Sequence, residues 1–258
     1  MEKILNYING ELVEPINGSY LDNYNPSIGK VYSQIPDSNE KDVDMAYFAA
    51  NEAFLGWSNT PKEERSKIMM RISDLIEENL VELAKAESID NGKPVKLATQ
   101  VDIPRAASNM RFFATAILHY ASESHDMDGE AINYTLRKPI GVVGCISPWN
   151  LPLYLFTWKI APALASGNCV IAKPSEVTPM TAYLFSKLCI EAGLPKGVLN
   201  IIHGMGPSVG SPITTRPGIK AISFTGGTAT GKAIAKFAAP MFKKLSLELG
   251  GKNPNIIF

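Results

Sequence analysis

The chain has 258 residues, 45% hydrophobic and 19% charged, so it can bury a sizeable core as one large or two modest domains and is not a disordered chain. Its 25 Lys+Arg balance 25 Asp+Glu, and a net charge of zero gives no electrostatic case for a nucleic-acid partner or an anionic membrane. Cys145, Cys169 and Cys189 are far apart with no CxxC pair, which argues against a disulfide framework and a zinc site and suits a reducing cytoplasm.

In chain order, Met1-Glu2-Lys3-Ile4-Leu5-Asn6 lacks the basic-then-apolar pattern of a leader, so none is expected. Ile8-Asn9-Gly10-Glu11-Leu12-Val13 centres on Asn-Gly, the strongest short hairpin signal. Tyr24-Asn25-Pro26-Ser27-Ile28-Gly29-Lys30-Val31 reads as a turn followed by an extended segment. Helices come next. Asp42 to Trp57 is Ala-rich with apolar residues at helical spacing. Thr60-Pro61-Lys62-Glu63 reads as a capping box, and Ile68, Met69, Ile72, Leu75, Ile76 and Leu80 mark one face of the helix after it. Asn91-Gly92 is a helix stop, and Asp102 to Ala121 is another helical stretch.

The pattern changes near residues 125–140, the expected boundary. Ile132-Asn133-Tyr134-Thr135-Leu136-Arg137 alternates as a strand does. Then the apolar runs Gly141–Ser147, Cys169–Lys173, Val198–His203, Ile219–Thr225 and Lys244–Leu249 alternate with the helical segments Leu151–Ala165, Thr178–Ala192, Pro207–Thr215 and Thr230–Ala239. Thr178-Pro179 reads as a cap and Gly193 as a stop. This alternation predicts βαβ units and a parallel sheet. Leu151 to Ala165 is the longest apolar stretch, too short and too interrupted by Pro152, Lys159 and Pro162 to span a bilayer. The chain ends on Asn255-Ile256-Ile257-Phe258, an apolar run with no turn signal after it. A short terminal strand is one reading; the reading preferred here is the front part of a longer protein.

Four segments gather Gly, Pro and polar residues after expected strands, where open α/β sheets bind ligands. They are Ile146-Ser147-Pro148-Trp149-Asn150, Lys173-Pro174-Ser175-Glu176, Gly204-Met205-Gly206-Pro207-Ser208-Val209-Gly210 and Phe224-Thr225-Gly226-Gly227-Thr228-Ala229-Thr230-Gly231-Lys232. The fourth matches seven positions of the phosphate loop GxxxxGK[ST], but Ala233 stands where the Mg²⁺-holding hydroxyl belongs. A pyrophosphate at a helix N-terminus, or a turn that needs Gly for geometry alone, are the other readings. The third segment, GxGxxxG, is one residue off the dinucleotide fingerprint. Glu248 lies between Leu247 and Leu249 at an expected buried strand end. There its carboxylate would be desolvated and its pKa raised, as a general base requires, or it would pair with a lysine.

Taken together, Ser147-Pro148-Trp149-Asn150, Lys173-Pro174-Ser175-Glu176, Phe224-Thr225-Gly226-Gly227 and Leu247-Glu248-Leu249-Gly250-Gly251-Lys252-Asn253-Pro254 resemble the aldehyde dehydrogenase superfamily in order and spacing, along the whole chain from Ile8-Asn9-Gly10 onward. Asp102-Ile103-Pro104-Arg105, Arg111-Phe112-Phe113-Ala114 and Trp149-Asn150-Leu151-Pro152-Leu153-Tyr154 resemble the branch that oxidises 2-aminomuconic and 2-hydroxymuconic semialdehydes. The resemblance implies an α/β fold: a Rossmann-like parallel sheet with helices on both faces, an N-terminal helical region and part of an oligomerisation sheet. It divides the chain into 1–125, the N-terminal helical part of the cofactor domain, 126–139, an oligomerisation strand, and 140–258, the NAD-binding region, ending before a catalytic domain.

By the same resemblance NAD lies against Ile146, Ser147, Pro148 and Trp149, on Lys173, Ser175 and Glu176, beside Gly206 and Gly210, and over Phe224, Thr225, Gly226, Gly227, Thr230 and Leu249. Lys173 and Glu176 would hold the adenine ribose hydroxyls, and a carboxylate at the 2′ position repels a 2′-phosphate, which favours NAD over NADP. Asn150 resembles the oxyanion-hole donor and Glu248 the general base that activates the hydrolytic water. Arg105 resembles the branch's arginine for a substrate carboxylate, a surface salt bridge being the alternative. Gly227 stands where many members have Ser, so one hydroxyl contact is lost. The family's nucleophilic Cys lies downstream of the Glu248 motif, beyond Phe258. Cys145, Cys169 and Cys189 read as buried small hydrophobes, and His203 as structural. The implied full-length protein is a homo-oligomeric enzyme acting on a small-molecule aldehyde. Its rivals are a non-catalytic nucleotide-binding or assembly module, another aldehyde specificity and a P-loop NTPase.

Overall fold

The computed structural model describes residues 2–257. β1 (Glu2–Lys3), β2 (Asn6–Ile8), β3 (Glu11–Val13), β4 (Tyr20–Asn25) and β5 (Lys30–Pro36) come first. Asn9 and Gly10 at φ 54° and 79° make the tight turn that Asn-Gly predicts between β2 and β3. β1, β5 and β4 form a small sheet. Helices α1 (Glu40–Asn59), α2 (Lys62–Glu78), α3 (Leu80–Asn91), the short α4 (Val95–Leu97) and α5 (Ile103–Ala116) follow, and α3 stops at Gly92 in the left-handed region. β6 (Ser124–Asp126) and β7 (Ile132–Tyr134) pair as an exposed hairpin.

The rest alternates: β8 (Val142–Ile146), α6 (Pro152–Ala165), β9 (Cys169–Lys173), α7 (Met180–Glu191), β10 (Leu199–Ile201), α8 (Ser211–Thr215), β11 (Ile219–Thr225), α9 (Thr228–Ala238) and β12 (Lys244–Glu248). The main sheet has the order β12-β11-β8-β9-β10-β2-β3. Its first five strands are parallel, as the alternation predicts, and all of β9 is buried. α1 packs on one face and α6 on the other, with α2 and α5 stacked outside α6. From β8 the chain steps outward to β9 and β10, then crosses back to β11 on the other side of β8. That reversal opens a crevice between the C-terminal ends of β8 and β11, where open α/β sheets bind ligands.

Several local expectations are corrected. Thr60 does not cap α2: its hydroxyl donates to Gly56 O at 3.0 Å, and the cap residue is Pro61. The capping box belongs instead to Asn39 and Asp42 at the start of α1. Thr178 does not cap α7 either; the Met180 N–H donates to Asp90 Oδ2 at 2.7 Å, a partner 90 residues earlier in the chain. Pro207–Thr215 is a π-turn over Gly206–Gly210 followed by one short helix. The strand expected at Ile132–Arg137 stops at Tyr134. The N-terminal hairpin joins the main sheet antiparallel to β10, secured by Asn6 Oδ1, which accepts from His203 N at 2.8 Å.

Candidate functional site

The ends of β8, β9 and β11 and the start of α9 enclose an open cleft of about 480 Å³. β8 runs out at Ile146 and the chain turns through Ser147, Pro148 and Trp149 along the rim. Ser147 is buried, and its Oγ has no hydrogen-bond partner among the described residues. β9 ends at Lys173, whose side chain is 3% exposed, and its ammonium lies 2.9 Å from Glu176 Oε2. Burial lowers the Lys173 pKa, opposed by the Glu176 charge. Burial raises that of Glu176, but the Lys173 charge and hydrogen bond outweigh it, leaving the carboxyl below its ordinary value. Ser175, Gly206 and Gly210 complete that wall.

On the opposite side Phe224, Thr225, Gly226 and Gly227 lead into α9, with Thr230 one turn on. A Cβ on Gly226 would sit 2.5 Å from the Phe224 ring, so any side chain there would have to displace that ring. Gly227 has no atom within 4 Å of a Cβ position and no side chain caps α9, so the first-turn N–H groups have no intrahelical acceptor. This is the local charge pattern that attracts an anion. Gly231 and Lys232 are not part of a phosphate loop. They lie inside α9, where a Cβ on Gly231 would meet the Leu249 side chain at 2.4 Å. That glycine serves helix packing and leaves the NTPase reading without its loop.

Residues 13–258 match the model of the aldehyde dehydrogenase family. The chain belongs to the aldehyde dehydrogenase family. It is similar to the 2-aminomuconic semialdehyde dehydrogenase of Bos taurus, 52% identical over 98% of this chain and 52% of that protein. It is also similar to the 2-hydroxymuconic semialdehyde dehydrogenase of Pseudomonas sp. strain CF600, 45% identical over 100% of this chain and 54% of that protein. An NAD+ complex structure of aldehyde dehydrogenase from Bacillus cereus superposes with a TM-score of 0.96 at 40% identity, covering 100% of this chain and 53% of that one. The chain therefore spans about half the length of these relatives.

In this aldehyde dehydrogenase chain the cleft gathers fourteen of the fifteen residues expected at the cofactor. Leu249 lies outside it, packed on Gly231. The two residues expected in the chemistry line other surfaces. Asn150 is exposed on the loop after β8, and its backbone carbonyl accepts from Lys93 Nζ at 3.1 Å. Glu248 is exposed rather than desolvated, which corrects the expectation of a buried strand end. Among the described residues β12 is the edge strand of the sheet, so the end of the strand faces solvent, and Thr225 Oγ1 donates to Glu248 Oε2 at 2.9 Å.

Glu248 borders a second cavity of about 450 Å³ together with Cys145, Trp158 and Lys159. Lys159 was legible only as an interruption of the apolar helix. It is 4% exposed on α6; burial lowers its pKa and the charge of Glu248 opposes that. Arg105 forms no ion pair among the described residues; its guanidinium stands 5.4 Å over the Tyr154 ring. All three thiols are buried. Burial pushes Cys145 and Cys169 up to about 12, and Cys189 is raised as well. His203 is buried and neutral, held down at about 3 by burial first and the Lys173 charge second. No helix is long and apolar enough to cross a membrane among the described residues.

Proposed function

We propose that this chain forms the NAD-holding part of an aldehyde dehydrogenase that oxidises a muconic-type semialdehyde to its carboxylate. The observation that carries the reading is the cleft at the β8/β11 reversal, with an ion-paired carboxylate on one wall and an uncapped helix N-terminus on the other. The residues fit a dinucleotide. Ser147 Oγ is a buried polar atom without a partner among the described residues, Gly226 and Gly227 keep the approach to α9 open, and Lys173 with Glu176 offers a donor and an acceptor side by side.

Lys173 and Glu176 hold the ribose hydroxyls, and the first turn of α9 receives the pyrophosphate. NAD, when bound, supplies the hydride acceptor. Asn150 donates its amide to the oxyanion that develops on the oxygen of the attacked carbonyl, and Glu248 takes a proton from the hydrolytic water. Because all three thiols here are buried and hard to ionise, we assign the nucleophile to the part of the relatives' length that this chain does not span. We also propose that β6 and β7 contribute to a homo-oligomer interface, since every residue of both strands is exposed.

Glu176→Ser in the full-length protein is expected to narrow the preference for NAD over NADP, because it removes the carboxylate that repels a 2′-phosphate. Parallel measurements of Kd for the two cofactors check this; an unchanged protein that binds NADP more tightly than NAD refutes the cofactor assignment.

Arg105→Ala is expected to raise KM for a carboxylate-bearing semialdehyde by about 10²-fold, and far less for a neutral aldehyde of similar size. Arg105 pairs with no carboxylate among the described residues, so its guanidinium is available to one from the substrate. Steady-state kinetics on both substrates decide it, and equal changes assign Arg105 to the fold.

A further inference from the structure

Asn150 is exposed, and its side chain makes no hydrogen bond among the described residues, so its placement has to come from its backbone. Three side chains around one turn hold that backbone. Asn91 Nδ2 donates to Trp149 O at 2.7 Å and to Asn150 O at 3.4 Å. Lys93 Nζ donates to Asn150 O at 3.1 Å. Glu87 Oε2 accepts from the Leu153 N–H at 3.3 Å, in the first turn of α6, which has no side-chain cap of its own. Gly92, at φ 79°, reverses the chain between Asn91 and Lys93 so that both reach the same loop.

Lys93 is also the centre of a buried ion cluster. Its ammonium bonds to Asp102 and lies 3.4 Å from Glu87 Oε1, and the two carboxylate side chains are 1% and 0% exposed. Such a cluster gives little net stability, since apolar side chains of the same volume pack as well or better. What apolar side chains cannot do is hold the carbonyl of Asn150 and the N–H of Leu153. The cluster therefore has a use that stability alone does not explain.

We propose that Lys93, Glu87 and Asn91 are positioning residues that clamp the Trp149–Leu153 backbone and thereby fix the amide of Asn150. The proposal rests on the oxyanion reading of Asn150 for its catalytic consequence, while the clamp is measurable without it.

The test uses Asn91→Ala, Lys93→Met and Asn150→Ala in the full-length protein, alone and combined. Hydrogen–deuterium exchange at the Leu153 amide, the N–H of this loop that the clamp holds through Glu87, is expected to rise about tenfold in Asn91→Ala and in Lys93→Met, with β9 and β11 unchanged, the scale of one lost hydrogen bond. In both variants kcat should fall about 10- to 10²-fold with a smaller change in NAD affinity, because the donor is displaced while Trp149 is the one residue of the clamped loop that lines the cofactor cleft. Either substitution placed on Asn150→Ala should cost almost nothing further. Lys93→Met leaves two buried carboxylates without a cation, and if it fails to fold, Asn91→Ala carries every arm of the test. Unchanged exchange at the Leu153 amide, or the same fall in kcat with and without Asn150, overturns the proposal. Full turnover in Asn150→Ala overturns the oxyanion reading instead, and the exchange result then decides the clamp by itself.

Discussion

Asn150→Ala in the full-length protein is expected to lower turnover about 10²-fold or more while NAD affinity holds, the scale of losing one oxyanion donor. In the loop after β8, Trp149 lines the proposed cofactor cleft and Asn150 does not. Removing the Asn150 amide therefore leaves every wall of that cleft in place. The side chain has no hydrogen bond among the described residues, so its truncation orphans no buried partner and stability should scarcely change. Turnover, NAD affinity and melting temperature measured together separate the cases: turnover equal to the parent's assigns Asn150 to structure, and a loss of NAD affinity of the same size places it in the cofactor site.

The second large effect concerns residues 1–258 by themselves, which should form no NADH from NAD and a semialdehyde. The covalent step of the proposed reaction needs a thiolate, and the three thiols are buried at the sheet and on α7 with their ionisation suppressed. A thiol reagent should leave all three unmodified in the folded chain and react with them after denaturation. The outer edge of β12 pairs with no strand among the described residues. Leu249, directly after β12, and Ile256 and Ile257 are exposed, and an unpaired edge and exposed apolar side chains together invite association. Light scattering should detect oligomers or aggregates that diminish when a C-terminal half is supplied. Robust NADH formation, or a clean stable monomer, contradicts this expectation.

The parallel sheet was legible because β8 and β9 are buried runs and β11 a largely apolar one, each closed by turn-forming residues. The cleft was legible because ligands in such sheets collect at strand ends, and the segments beginning at Ile146, Lys173 and Phe224 do converge there. What escaped the sequence depends on partners remote in the chain. Asp90 caps α7 from 90 residues away, so the nearby Thr178 was the wrong candidate. The exposure of Glu248 follows from β12 lying at the sheet edge, which strand order decides and residue pattern does not. Lys159 looked like a flaw in an apolar helix until the fold brought it to the cavity that Glu248 borders. The roles of Lys93 and Glu87 were invisible for the same reason, since their targets are backbone atoms more than fifty residues away.

The most direct test of the central claim, that the cleft at the β8/β11 reversal holds NAD, is a calorimetric titration of the full-length protein with NAD and with NADP, repeated on a Gly227→Asp variant. Gly227 has open space where a side chain would stand, so the variant should fold, while its carboxylate places a negative charge at the mouth of α9. The account predicts that the parent binds NAD more tightly than NADP and that the variant loses at least about tenfold in NAD affinity, the scale of replacing a favourable charge by a like one. Undiminished NAD binding in a folded variant, or no NAD binding by the parent, would contradict it.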